Sequence, residues 1–168
     1  MTDPGTPPVG LNAVTVLHRA LVGGLTVVDV GVSAKSLADE LKRQLGLAKA
    51  AKQTMLVMTT RNVCGPCRGV DRSLADPQMQ AALSDVRFVR VDVDVFAKDL
   101  DKLSMPRHVF PSFFLLAPDL WIRDAIDGGE WGDDIAANIA PVLGPFVRGT
   151  YNKRVDPWHE PAGAGISL

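Results

Sequence analysis

Cys64 and Cys67 are the only cysteines in the 168-residue chain, and Gly65-Pro66 separates them. Two thiols at this spacing lie one helical turn apart, close enough to join in a small internal disulfide. Such a pair exchanges electrons with other disulfides instead of acting as a passive cross-link. Pro66 suits the first turn of a helix, where its missing N–H is no loss. A strand that delivers Cys64 to such a helix start would surround it with unpaired backbone N–H groups and the helix dipole. That setting favours the thiolate, moving a thiol pKa from ~8.5 toward ~7. Gly65 leaves room for another polypeptide to approach the sulfur, and Cys67 is expected to be the more buried thiol.

Zinc is the chemical rival, because a Cys-x-x-Cys pair is half of many zinc sites. The other ligands would have to come from His18, His108 or His159, which are not paired at ligand spacing. No metal and no cofactor is therefore assigned. His108 reads as a surface histidine near Pro111, with acid–base work as the sharper alternative. Asp92 and Asp94 read as polar residues at a strand end, not as a hard-cation site. Trp121 and Trp131 read as cover for the sheet, and Trp158 as a loosely packed terminal aromatic.

The elements that must position the cysteines follow from hydrophobic periodicity. Leu11, Val14, Leu17, Leu21 and Val22 recur at helical spacing and predict a short amphipathic helix closed by Gly23-Gly24. Residues 25–30 read as a first strand. Ser33 is the expected cap of a helix through Leu37, Leu41, Leu45 and Ala48. The apolar run 54–59 suits a central strand covered on both faces, leading into the dithiol. A helix through Val70 and Leu74 follows, and Asp76-Pro77 starts a second segment.

Beyond it, residues 86–91 form the next expected strand, and Phe96, Leu100 and Leu103 mark a brief helix. Residues 112–116 and 121–126 are short enough in their connection for an antiparallel hairpin, ended by Gly128-Gly129. A closing helix runs from Ile135 to Phe146, and Pro141 inside it should kink it. The order is mixed α/β, with parallel strands first and an antiparallel pair last.

Eighteen basic residues against nineteen acidic ones give a net charge of −1, so a nucleic-acid partner is not implied. The stretch 14–32 contains His18, Arg19 and Asp29, which a membrane span would tolerate poorly. The N-terminus lacks the basic start and apolar run of a secretory signal, so the expected location is cytoplasmic. In a reducing compartment a Cys-x-x-Cys pair reads as catalytic or metal-binding sooner than structural.

Cys64-Gly65-Pro66-Cys67 resembles the active-site tetrapeptide of the thioredoxin family letter for letter, and the likeness extends over roughly residues 25–148. The resemblance implies a thioredoxin-like α/β fold: a central mixed β-sheet flanked by helices, with the dithiol at a helix N-terminus. Residues 1–24 would be an N-terminal extension, 25–148 the domain and 149–168 a C-terminal tail. Phe110-Pro111 resembles the family's cis-proline, with Phe110 offering backbone groups to an extended client segment. Gly128 resembles the glycine that completes the client groove. The chain departs from the family at Val63, where a tryptophan is usual, and at Met58, where a buried aspartate is usual. Arg90 takes the place of a neighbouring lysine.

The activity implied is protein thiol–disulfide exchange, with Cys64 as nucleophile and Cys67 as resolving thiol. Its partners would be disulfide-containing client proteins and a reductase or dithiol that restores the pair. The alternative is a protein-binding module of the same fold, whose dithiol switches with redox state without efficient turnover.

Overall fold

A computed structural model describes residues 16–20, 25–31 and 36–159. Six strands form one sheet: β1 (Val16–Ala20), β2 (Thr26–Val30), β3 (Thr54–Thr60), β4 (Val86–Asp92), β5 (Ser112–Leu116) and β6 (Ile122–Asp127). Their order is β1-β2-β4-β3-β5-β6. β2, β4 and β3 run parallel, whereas β1, β5 and β6 are antiparallel to their neighbours. Among the described residues the α-helices are α1 (Leu37–Ala50), α2 (Gly65–Ser73), α3 (Pro77–Ala82), α4 (Ala97–Lys102) and α5 (Ala136–Val147).

The first element corrects the sequence reading. Val16–Ala20 is a strand, not part of a helix, and it pairs with β2 from Val16↔Val30 to Ala20↔Thr26. Apolar residues at helical spacing carry little weight where a neighbouring strand offers a whole ladder of backbone partners. The sheet therefore has an antiparallel edge at each side of its parallel centre. Ser33 lies outside the described residues; the cap of α1 is Ser36, whose hydroxyl accepts from the Asp39 N–H at 3.3 Å.

Alternation along the strands splits the core in two. Leu56 and Met58 of β3, Phe88 of β4 and Phe113 of β5 face one side, packing with α2, α3 and α5. Met55, Val57, Val89 and Phe114 face the other, packing with α1 and α4. β3 is buried throughout Met55–Thr59, as a central strand flanked by β4 and β5 must be. Asp76 caps α3 by accepting from the Gln78 N–H at 2.8 Å, with Pro77 in its first turn. α5 runs unbroken past Pro141 and Pro145.

The segment after α5 is better anchored than its composition suggests. Arg154 makes two bonds of 2.6 Å to Asp124 and lies over the rings of Phe146 and Tyr151. Glu130 accepts from the Tyr151 hydroxyl at 2.9 Å and from the Val155 and Asp156 N–H groups. Trp158 is half-buried against the α1 side of the core, so it is not a loose aromatic.

Candidate active site

β3 carries the chain from the core to the rim of the sheet, and Arg61–Val63 hands it to α2. Cys64 is the N-cap of that helix, in extended conformation at φ −147° and ψ 103°. Its Sγ accepts from the Cys67 N–H at 3.1 Å, filling the role a serine or aspartate oxygen usually has. Pro66 stands in the first turn. Cys64 and Cys67 are joined by a disulfide of 2.05 Å, with Cα atoms 5.3 Å apart. Cys67 is 1% exposed and Cys64 8%, while Val63, Gly65 and Pro66 are open to solvent. The sulfurs are thus sunk at the edge of the aromatic core, beneath an exposed rim.

The Phe110–Pro111 peptide is cis. β3 pairs with β5 at Thr59↔Ser112, which sets Pro111 beside the end of the strand that leads to the dithiol. The Gly128 N–H donates to the Pro111 carbonyl at 3.0 Å. A Cβ on Gly128 would come within 3.2 Å of the Pro111 ring, so this close approach favours glycine. Phe110 is half-buried between both halves of the core.

Arg61 was not singled out by its sequence context, yet it links three loops. Its guanidinium lies 5.1 Å from the centre of the Phe110 ring and grips Asp94 in bidentate fashion at 2.8 and 3.1 Å. Bonding to Asp94 holds the Arg61 pKa above its ordinary value, and the same bond holds the Asp94 carboxyl below its own. Asp92 closes the turn after β4, accepting from the Asp94 and Val95 N–H groups. No sequence signal joins Arg61 to Phe110, because the contact depends on how the loops fold together.

Met58 is fully buried in the cluster that contains both cysteines. The charge nearby is organised differently. Arg90, in register with Met58, bonds Asp29 on β2 and Asp71 on α2, the latter at 2.7 Å. Burial works against the Arg90 charge, but bonds to the two carboxylates outweigh it and raise its pKa. Asp71 stands one turn beyond Cys67 on the same helix, so this bridge fixes α2 to the sheet. Behind the helix, Trp131 packs 5.6 Å from Phe113 and donates to Asp134 at 2.9 Å. Asp134 presses on Gly69, where a Cβ would stand only 2.4 Å from the Asp134 Cβ.

His108 and His159 are both exposed. The side chain of His18 lies outside the described residues. Among the described residues no group of three or more His, Cys, Asp or Glu is placed to hold a metal ion. No helix among them is long and apolar enough to cross a membrane.

No family model matches the chain, and no curated protein does. Solved structures do. A disulphide isomerase from Xylella fastidiosa Temecula1 aligns over 68% of this chain and 92% of its own, with a TM-score of 0.50 and 21% identity. A thioredoxin from Halobacterium salinarum NRC-1 covers 80% and 96%, at TM-score 0.49 and 14% identity. Thioredoxin O2 from Arabidopsis thaliana, in its oxidized state, covers 80% and 100%, at 0.47 and 18%. The sheet, its flanking helices and the first of these likenesses give the chain the thioredoxin fold.

Proposed function

We propose that this thioredoxin-fold chain is a protein thiol–disulfide oxidoreductase that reduces client disulfides through Cys64 and Cys67. The observation that carries the reading is the cap of α2: a sulfur, not an oxygen, accepts the Cys67 N–H in the first turn of the helix. When the pair is reduced, that N–H and the helix dipole favour negative charge on Cys64. Its thiolate attacks one sulfur of a client disulfide and bonds to it; the client S–S bond breaks and the other client sulfur leaves as a thiolate. Cys67 then loses its proton and attacks the Cys64 sulfur, expelling the second client thiolate. Two electrons pass to the client, and the internal disulfide remains until a reductase or dithiol donor reduces it.

Phe110, Pro111 and Gly128 form the wall along which an extended client segment is read, with backbone groups of Phe110 available for strand-like pairing. Gly65 and Pro66 keep the rim low over Cys64. Met58 leaves the proton of Cys67 without a carboxylate at that position, which favours one second reading: a binding module whose dithiol switches without turnover.

Reduction of a disulfide-bonded protein by dithiothreitol separates the two. The reductase accelerates it and Cys64→Ser returns the rate to that of dithiothreitol alone. In Cys67→Ser the mixed disulfide on Cys64 accumulates and is visible by mass spectrometry. A wild-type rate equal to the dithiothreitol background rejects the reductase in favour of the switch.

A further inference from the structure

At the end of the sheet opposite the dithiol, the second half of α1, the start of β3 and the β5–β6 turn enclose an open groove of about 470 Å³. On its helical wall stand Lys42, Leu45, Gly46 and Lys49, the i, i+3, i+4, i+7 stripe of one helix face. Leu116 and Arg123 stand in the facing wall, and among the described residues no carboxylate lines the groove. Lys42, Lys49 and Arg123 are exposed, and among the described residues none of them enters an ion pair. The neighbouring acid, Asp124, is occupied by Arg154.

Gly46 is a second, independent sign. Glycine in a helix interior costs roughly 0.5–1 kcal/mol relative to alanine. Nothing lies within 4 Å of where its Cβ would stand, so internal packing does not require it. What the missing side chain provides is an open floor between two lysines.

We propose that this groove docks an acidic, partly apolar polypeptide segment of a partner protein, on a surface separate from the dithiol. Lys42 and Lys49 are seven residues apart, about 10.5 Å along the helix axis. Leu45 lies between them, so the two charges flank an apolar contact. That pattern matches carboxylates strung along a chain with apolar side chains among them. Complementary charge would speed association and make it sensitive to salt.

The test uses the full ¹⁵N-labelled chain and a synthetic 14-residue peptide in which glutamates flank leucines. The expected result is amide shifts confined to residues 42–55 and 115–123, weakening at least tenfold in Lys42→Glu/Lys49→Glu and in Gly46→Leu. Reduction of a small disulfide by these variants stays at the wild-type rate, which separates this surface from the redox site. Absence of shifts, shifts centred on Cys64 and Pro111, or equal binding of a lysine-for-glutamate peptide overturns the proposal. So does saturation of the same residues by inorganic phosphate or by phosphatidylserine vesicles when the peptide leaves them unmoved.

Discussion

On one face of the sheet, Phe88, Phe113, Phe146 and Trp131 surround Met58 and the two cysteines beneath α2, α3 and α5. On the other, Val28, Val57, Val89 and Val91 pack under α1 and α4. Three helices cover the aromatic face, and the disulfide lies beneath a rim of exposed Val63, Gly65 and Pro66. The aliphatic face has two covering helices, and where α1 meets the start of β3 and the β5–β6 turn it ends in a groove lined by cations. Neighbouring residues of one strand therefore serve different ends: Val57 and Met58 are equally buried, yet only Met58 shares a cluster with the dithiol.

That contrast is most directly broken at these two positions. Met58→Ala should lower stability by about 2–5 kcal/mol, through lost contacts and the cavity left behind. Val57→Ala should lose about 1.5–3 kcal/mol. Chemical denaturation measures both, and a thiol-reactivity assay should change only for Met58→Ala; an equal change in both would erase the distinction between the faces. Gly69→Ala comes next, at about 1–3 kcal/mol, because its methyl group must displace Asp134 from the back of α2. Its loss should be accompanied by altered Trp131 fluorescence, since Asp134 holds the indole N–H.

On the aliphatic face, Ser36→Ala should cost about 1 kcal/mol by removing the cap of α1, with disulfide reduction unchanged. The smallest effect concerns pH. Burial and the hydrogen bond to Glu130 push the Tyr151 pKa up to about 12 from 10.0. A folded-state value above the unfolded one means that this anchor contributes fully below pH 10 and fades between pH 10 and 12. Denaturation curves across that window should show an alkaline loss in the wild-type protein that Tyr151→Phe lacks.

Much of this arrangement was legible in the sequence where one residue or a short period carries the signal. The cysteine spacing, the apolar run of β3 and the Asp76-Pro77 break each have a local physical meaning, and their elements stand where expected. What escaped was long-range. The apolar spacing of β1 is helical, whereas its strand pairing with β2 is a tertiary contact that periodicity does not encode. Arg154 and Asp124 are thirty residues apart, and Arg90 reaches Asp29 from sixty-one residues away. No local pattern announces such pairs. The cationic groove was equally hidden, since its lysines are ordinary on a helix and become a surface only opposite Arg123.

The anchored C-terminal segment has one more consequence. β6 ends the sheet, and an edge strand is a template on which foreign strands can add. Arg154 already occupies a main-chain oxygen of that edge, at Ala125, while its ion pair with Asp124 holds a charged plug in place. The strap thus leaves that edge one fewer free acceptor and a fixed charge against which an incoming strand would have to pair.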